Sequence, residues 1–351
     1  MRQHTIALAT LTILTLGCAS DPKDPTSNWT APDPLSPPPG SPVALHGQLK
    51  VVGTLLQDQS DAPIQLKGVS SVLEFETSPF AESKKALTFM RDNWKLSVFR
   101  AAMGTGVAVS NPQFRPTQVE QIVQNAIELG VYVIVDWHTE DAVNQQDASV
   151  RFFTALASKY GAYPNVIWET YNEPTRQPWS QIKTYHEAVV AAIRAVDPDN
   201  LIVLGTPVWS QNVDEAAQDP VAGSNLLYTL HPYSCSLKQS LRNRGDTAIA
   251  AGLALFVTEF GATPSNGGVP PNNIVCEDEA NAWFGWMDKN NISGVAWKLD
   301  QCSDSSCILG PKASTDGPWT DDRLSTDVGG EVSGAGIKGG QGLFVVNWLR
   351  Q

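Results

Sequence analysis

Between Gln65 and Asp300 the chain repeats one pattern eight times: a short apolar run that ends in polar or aromatic residues, most often followed by a helix-like segment. The runs are "QLKGVS", "LSVFRAAM", "VYVIVDWH", "NVIWETYNEP", "LIVLGTP", "LLYTLHPY", "LALFVTEFG" and "ISGVAWKLD". Segments such as Pro116 to Leu129, Ala148 to Tyr160, Ser180 to Val196 and Asp278 to Asn290 place apolar residues three and four apart, the period of an amphipathic helix. Runs nearly continuous in Val, Ile and Leu suit parallel strands buried on both faces. Eight of them alternating with helices predict an α/β fold, a (β/α)8 TIM barrel. "HGQLKVVGTLLQDQSDAPIQLKGVS" adds two alternating runs around a polar turn, so a short N-terminal β-hairpin is expected before the barrel.

The strand endings carry the chemistry. Arg100, Asp136 to His138, Asn172 and Glu173, His231 and Tyr233, Glu259 and Trp297 would all project from the C-terminal face of such a barrel, where barrel enzymes present their functional groups. "NVIWETYNEP" begins as a buried strand and finishes with Pro174, which cannot donate to a ladder, so Asn172 and Glu173 fall at the strand's end. Glu173 and Glu259 end the fourth and seventh strands. Two carboxyl groups about 5 to 5.5 Å apart are what a retaining glycosidase requires, one as acid/base and the other as nucleophile. Asn172 is placed to bind a sugar hydroxyl and Arg100 to favour the charged form of a carboxylate.

With 42% hydrophobic and 17% charged residues the chain is an ordinary globular protein. A net charge of −12 and a pI near 4.8 exclude a nucleic-acid partner, whose phosphates demand Lys and Arg. A neutral polymer or small substrate fits better. No cofactor or metal is expected.

Together "NVIWETYNEP", "LFVTEFG", "VFRAAM", "VYVIVDWH", "GTPVWSQNVDEAA", "LYTLHPY" and "TDGPWTDDRLS" resemble glycoside hydrolase family 5, of the bacterial endo-β-1,4-glucanase (cellulase) type, in order from about His46 to the C-terminus. The resemblance implies Glu173 as acid/base, Glu259 as nucleophile, Asn172 on the sugar 2-hydroxyl and Arg100 and Tyr233 holding the nucleophile. It further implies His138 and His231 lining the cleaving subsite and Trp297 as a sugar-stacking platform, with a β-glucan as substrate; a monomer is expected.

Three segments depart from the family pattern. "SSVLEFETS", with Val72, Leu73, Glu74 and Phe75, stands where a His and a Trp are usual; "HPYSCSLK" replaces a Gly-containing segment; "KLDQCSDSSC" replaces a lysine-bearing loop. These put substrate grip in question rather than the reaction. A β-mannanase or another β-glycan hydrolase of the family is therefore an alternative, and a catalytically inactive glycan-binding surface lipoprotein is an alternative of another class.

Other residues read as structural. Glu169 is expected to support the barrel, Asp136 to orient its neighbours, and Trp168, Trp283, Trp286 and Trp348 to fill the core. For Trp179 and Trp209, packing and sugar contact both remain open. His46 and His186 are expected to be solvated or locally hydrogen-bonded. Leu309 to Gly342 is a long Gly-, Ser- and Asp-rich excursion before a closing helix at "LFVVNWLR".

Residues 1–18, basic and then apolar, form a signal peptide ending in the lipobox-like "TLGC", so Cys18 is the expected lipidation site and the only route to a membrane. Residues 19–42, rich in Pro, Ser and Asp, are expected to be an extended disordered tether, and residues 43–351 the catalytic domain of an exported, extracellular or outer-membrane protein. Four further cysteines in an exported chain predict disulfides, Cys235 with Cys276 and Cys302 with Cys307, the second closing a short polar loop. A zinc site is the alternative, but no His lies at ligand spacing.

Overall fold

A computed structural model describes residues 29–72, 80, 83–105, 115–333 and 336–351, with side chains from 329 to 333 left aside. Cys18, the signal segment and most of "SSVLEFETS" lie outside the described residues.

Eight parallel strands close into a barrel. In chain order the strands are β1 (Lys50–Val52), β2 (Leu55–Gln57), β3 (Lys67–Ser70), β4 (Val98–Gly104), β5 (Tyr132–His138), β6 (Val166–Glu169), β7 (Leu201–Leu204), β8 (Leu226–Thr229), β9 (Leu255–Phe260), β10 (Ile274–Val275), β11 (Gly294–Ala296), β12 (Asp327–Ser333) and β13 (Gly336–Gly339). The barrel runs β3-β4-β5-β6-β7-β8-β9 and closes through β11 back onto β3. All eight predicted runs supply its strands. The helices Pro116–Leu129, Gln146–Tyr160, Trp179–Arg194 and Glu277–Asn290 cover the outside and match the periodic segments within two residues. Gly342–Leu349 is the closing helix.

Both faces of each barrel strand are buried, which hides the alternation in the sequence. Packing reveals it. On β5, Val133, Val135 and Trp137 join the cluster under the helices, whereas Tyr132 and Ile134 join the cluster inside the barrel. The inward set continues to Asp136 and His138, so one strand turns from apolar filling to polar site as it climbs.

The expected hairpin is present. β1 and β2 pair antiparallel, and Leu49, Leu56 and Ile64 pack with Val98, Ile134, Ile167, Leu201 and Val295, capping the end of the barrel opposite the site. Tyr132 donates its hydroxyl to the Gly47 carbonyl at 2.6 Å, and the Val51 N–H donates to Asn225 Oδ1 at 2.9 Å.

Two regions differ from expectation. Part of the segment read as a tether lies against the barrel: the Trp29 indole meets Tyr160 at 5.7 Å between ring centroids and donates to Glu128 Oε1 at 2.8 Å. Tyr163 also donates to the Pro32 carbonyl at 2.8 Å. Aromatic packing thus offsets the lack of periodicity there. The excursion after Leu309 is not structureless either, because β13 pairs with β10 on one side and β12 on the other in a three-stranded sheet and Trp319 is buried against Trp94.

Candidate active site

Arg100 is the centre of the site. It is fully buried on β4, and its guanidinium donates through Nε to Glu169 Oε2 at 2.7 Å, through Nη1 to Glu259 Oε2 at 3.0 Å and through Nη2 to Asn172 Oδ1 at 2.6 Å. Asp136 Oδ2 lies 2.9 Å from Nη2. Burial alone would lower its pKa, but Asp136, Glu169 and Glu259 outweigh that and hold the guanidinium above its usual range. It is a fixed cation serving three carboxylates.

Both oxygens of Glu259 are held, since Tyr233 donates to Oε1 at 2.6 Å while Arg100 donates to Oε2. Glu259 reaches inward because β9 carries an irregularity. Gly294 pairs with Val257 and Ala296 with Phe260, so β9 has one residue too many there, and neighbouring Thr258 and Glu259 both meet site residues. Thr258 Oγ1 donates to Glu169 Oε1 at 2.6 Å. Gly261 explains the approach of Tyr233, because a Cβ at that position would stand 2.8 Å from the Tyr233 ring.

Glu173 lies beyond the end of β6. Its Oε1 is 2.9 Å from His231 Nδ1, and the other ring nitrogen faces Thr258 Oγ1 at 3.1 Å. Burial pushes Glu173 up to about 7, against the opposing pull of His138 and Arg100. His138 and His231 are both pushed down to about 4, chiefly by burial, so each imidazole is neutral near pH 7. Burial likewise drives the Tyr233 hydroxyl far above the phenol range, with Glu259 adding to the effect. Glu173, His231 and Glu259 each present an atom within 4.8 Å of the other two, a cluster compact enough to attract a divalent cation as well as to span a sugar's reacting centre.

His138 stacks on Trp297, with ring centroids 5.2 Å apart and planes 14° from parallel, and Asp136 Oδ2 meets His138 Nδ1 at 2.7 Å. Asp136 therefore does orient its neighbours. It is fully buried with its second oxygen unpartnered, and burial lifts it to about 8 despite Arg100. The structure thus brings together Arg100, His138, Asn172, Glu173, His231, Tyr233, Glu259 and Trp297.

The sequence reading undervalued Glu169 and missed Thr258 and Gly261. Glu169 was legible: it stands two residues after inward-facing Ile167, the period that keeps a side chain inside the barrel. Trp168, Trp283, Trp286 and Trp348 are core residues. Trp179 is buried and donates to the Asp219 carbonyl at 2.9 Å, so packing accounts for it, whereas Trp209 is 43% exposed. His186 is not solvated, being buried between Thr170 Oγ1 at 2.8 Å and the Gly205 carbonyl at 2.9 Å. His46 meets Asp58 at 3.2 Å. The disulfides pair Cys235 with Cys276 and Cys302 with Cys307.

Comparison with known proteins decides the family. The profile described as Cellulase (glycosyl hydrolase family 5) matches residues 57–303. This chain belongs to glycosyl hydrolase family 5. Among family relatives it is 42% identical over 292 residues to an endoglucanase of Clostridium saccharobutylicum, covering 81% of this chain and 64% of that protein. It is 45% identical over 226 residues to endoglucanase Z of Dickeya dadantii, covering 63% of this chain and 52% of that one. The chain thus spans between half and two thirds of these relatives' lengths. Among solved structures, the catalytic domain of a Thermobifida fusca endoglucanase superposes with a TM-score of 0.78 at 29% identity, covering 89% of this chain and all of that domain. A Glu-to-Gln variant of that domain is also solved with cellotetraose, with a TM-score of 0.77.

Proposed function

We propose that this family 5 protein is a retaining endo-β-1,4-glucanase that cleaves internal bonds of cellulose or a related β-glucan. The observation that carries the reading is the separation of Glu173 and Glu259, which present carboxylate oxygens within 4.8 Å of each other across the barrel mouth. That spacing leaves no room for a water between carboxylate and sugar, as an inverting enzyme needs, and suits direct attack by one carboxylate. The relatives named as endoglucanases and the cellotetraose-bound neighbour support the substrate class.

Glu259, oriented by Arg100 and Tyr233, attacks the anomeric carbon. As the carbon–oxygen bond to the leaving sugar breaks, Glu173 donates its proton to the departing oxygen; a pKa of about 7 keeps that proton available below neutrality. The glycosyl ester on Glu259 is then hydrolysed by a water whose proton returns to Glu173. Two inversions restore the β-anomer. Asn172 accepts from Arg100 through its carbonyl oxygen, which leaves its amide N–H groups for a sugar hydroxyl. His231 holds Glu173 at Oε1, and Trp297, braced by His138, offers an indole face to a sugar ring. For the whole protein we propose export and lipid attachment at Cys18, supported by the N-terminal sequence pattern, and a monomeric state.

Purified protein is incubated with soluble cellulose, mixed-linkage glucan and mannan, and products are sized. Glu173→Gln and Glu259→Gln are expected to lower turnover by roughly 10²-fold or more while the fold is retained. NMR of fresh product is expected to show the β-anomer. Near-normal activity of either variant on an unactivated polysaccharide, or initial α-anomer, would overturn the assignment.

A further inference from the structure

Glu140 and Trp209 approach Glu173 from two separate loops, and backbone hydrogen bonds hold both loops to its segment. The Glu173 N–H donates to the Thr139 carbonyl at 3.3 Å, and the Trp209 N–H donates to the Pro174 carbonyl at 2.8 Å. Neither side chain can drift far from the acid.

Trp209 is presented under backbone strain. Val208, Trp209 and Ser210 have φ of 60°, 54° and 52°, a left-handed run that L-residues disfavour. The run persists because Ser210 Oγ donates to the Asn172 carbonyl at 2.7 Å and the His231 N–H donates to the Ser210 carbonyl at 2.9 Å. Its product is an indole with 43% of its surface exposed, anchored to Asn172 and to His231, which itself holds Glu173.

Glu140 is the other half. Its loop is fastened by the Tyr171 hydroxyl, which donates to the Glu140 carbonyl at 2.9 Å, and by Gln177 Nε2, which donates to the same oxygen at 3.3 Å. The carboxylate is exposed and accepts from Trp209 Nε1 at 3.4 Å. No Lys or Arg pairs with it among the described residues. An unneutralised anion edge-on to an exposed indole combines an apolar face with a hydroxyl acceptor, the two groups a sugar ring can satisfy together.

We propose that Glu140 determines specificity on the leaving-group side, accepting hydrogen bonds from an uncharged sugar laid on Trp209 and rejecting one that carries a negative charge. The class favoured is a neutral β-glucan chain; the class refused is one ending in an aldonate. This rests on the reading of Glu173 as the acid, because Glu173 marks the side on which the leaving sugar lies. Glu140 also acts on Glu173 itself, adding with Glu169 to the upward shift set first by burial, against His138 and Arg100, with His231 hydrogen-bonded to it.

The test compares cellotetraose with the same oligosaccharide oxidised to its aldonate at the reducing end, which places the charge among the leaving sugars. At low ionic strength wild-type kcat/KM for the neutral chain is expected to exceed that for the aldonate about fivefold, and the ratio should fall on adding salt. Glu140→Gln should bring the ratio close to one, Glu140→Asp should keep part of the discrimination, and Glu140→Lys should invert it. A purely structural role would not invert with charge. Ratios in the Gln and Lys variants equal to wild type would overturn the proposal, whatever happens to absolute rates. A wild-type enzyme that cleaves neither chain would instead remove the glucanase reading, and this inference with it.

Discussion

Glu169 and Glu173 stand four residues apart and occupy different chemical settings. Glu169 points into the barrel, where Arg100 grips both of its oxygens and Thr258 donates to one, so its hydrogen-bonding capacity is filled by protein. Glu173 keeps 17% of its side chain exposed and is held by His231 at one oxygen, which leaves the other for a substrate. The position after the strand was legible in "NVIWETYNEP". That Arg100 holds Glu259 was legible only through the family resemblance, and its sharing with Glu169 was not legible at all, because these partners lie 159 and 69 residues away and no local pattern reports such a meeting. The buried acid has a consequence for stability. With a folded pKa of about 7 against an ordinary 4.5, Glu173 takes up a proton on folding between those values. Its neutral form is fully compatible with burial below about pH 4.5, and that stability is lost as pH rises from there through 7, by up to about 3 kcal/mol. Glu173→Gln removes the ionisation, so its Tm relative to wild type should be higher at pH 8 than at pH 4.5. A difference that does not change with pH would show that Glu173 does not titrate in this range. The alkaline limb of wild-type activity should fall through the same region, because the acid must carry its proton.

At the level of elements, the eight strands were readable because burial on both faces makes each one a continuous apolar run, and the helices because one face stayed polar. The β10-β13-β12 sheet was not readable, since Gly-rich strands such as Gly336–Gly339 lack both signals and pair only through distant partners. The loop closed by Cys302 and Cys307 is a third case: its cysteines announced it, its contacts did not. Ser305 and Ser306 donate backbone N–H groups to the Gly268 and Gly267 carbonyls, while Gln341 Nε2 donates to both the Trp297 and Ser306 carbonyls. The loop therefore braces the backbone of Trp297 through Gln341. Replacing Cys302 and Cys307 together by Ser should loosen that brace and raise KM for long oligosaccharides more than for short ones, with roughly a tenfold loss for one stacking contact at the upper end. Unchanged chain-length preference would make the loop a staple for stability alone.

For the whole molecule, the catalytic face and the N-terminal entry lie at opposite ends of the barrel. Trp29 packs on Tyr160 and Tyr163 and bonds Glu128, and the Val43 N–H donates to the Gly130 carbonyl at 2.9 Å. Tyr160 and Gly130 end two helices, and in a barrel of this kind helices end beside the starts of the next strands, away from the mouth. Among the described residues no helix is long and apolar enough to cross a membrane. At full extension the stretch from Cys18 to Trp29 spans at most roughly 40 Å. A lipid on Cys18 would then hold the barrel near a surface with its closed end inward and its open end outward, which suits attack on a polymer too large to pass beneath it. The full-length protein is expected to partition with membranes and to carry acyl groups on Cys18, and Cys18→Ser should move the activity to the soluble fraction with turnover on short oligosaccharides unchanged, because the anchor touches nothing at the mouth. Mass spectrometry finding an unacylated mature N-terminus at another residue would remove the anchor. Turnover that falls with release would mean instead that the N-terminal segment supports the barrel beyond the contacts of Trp29.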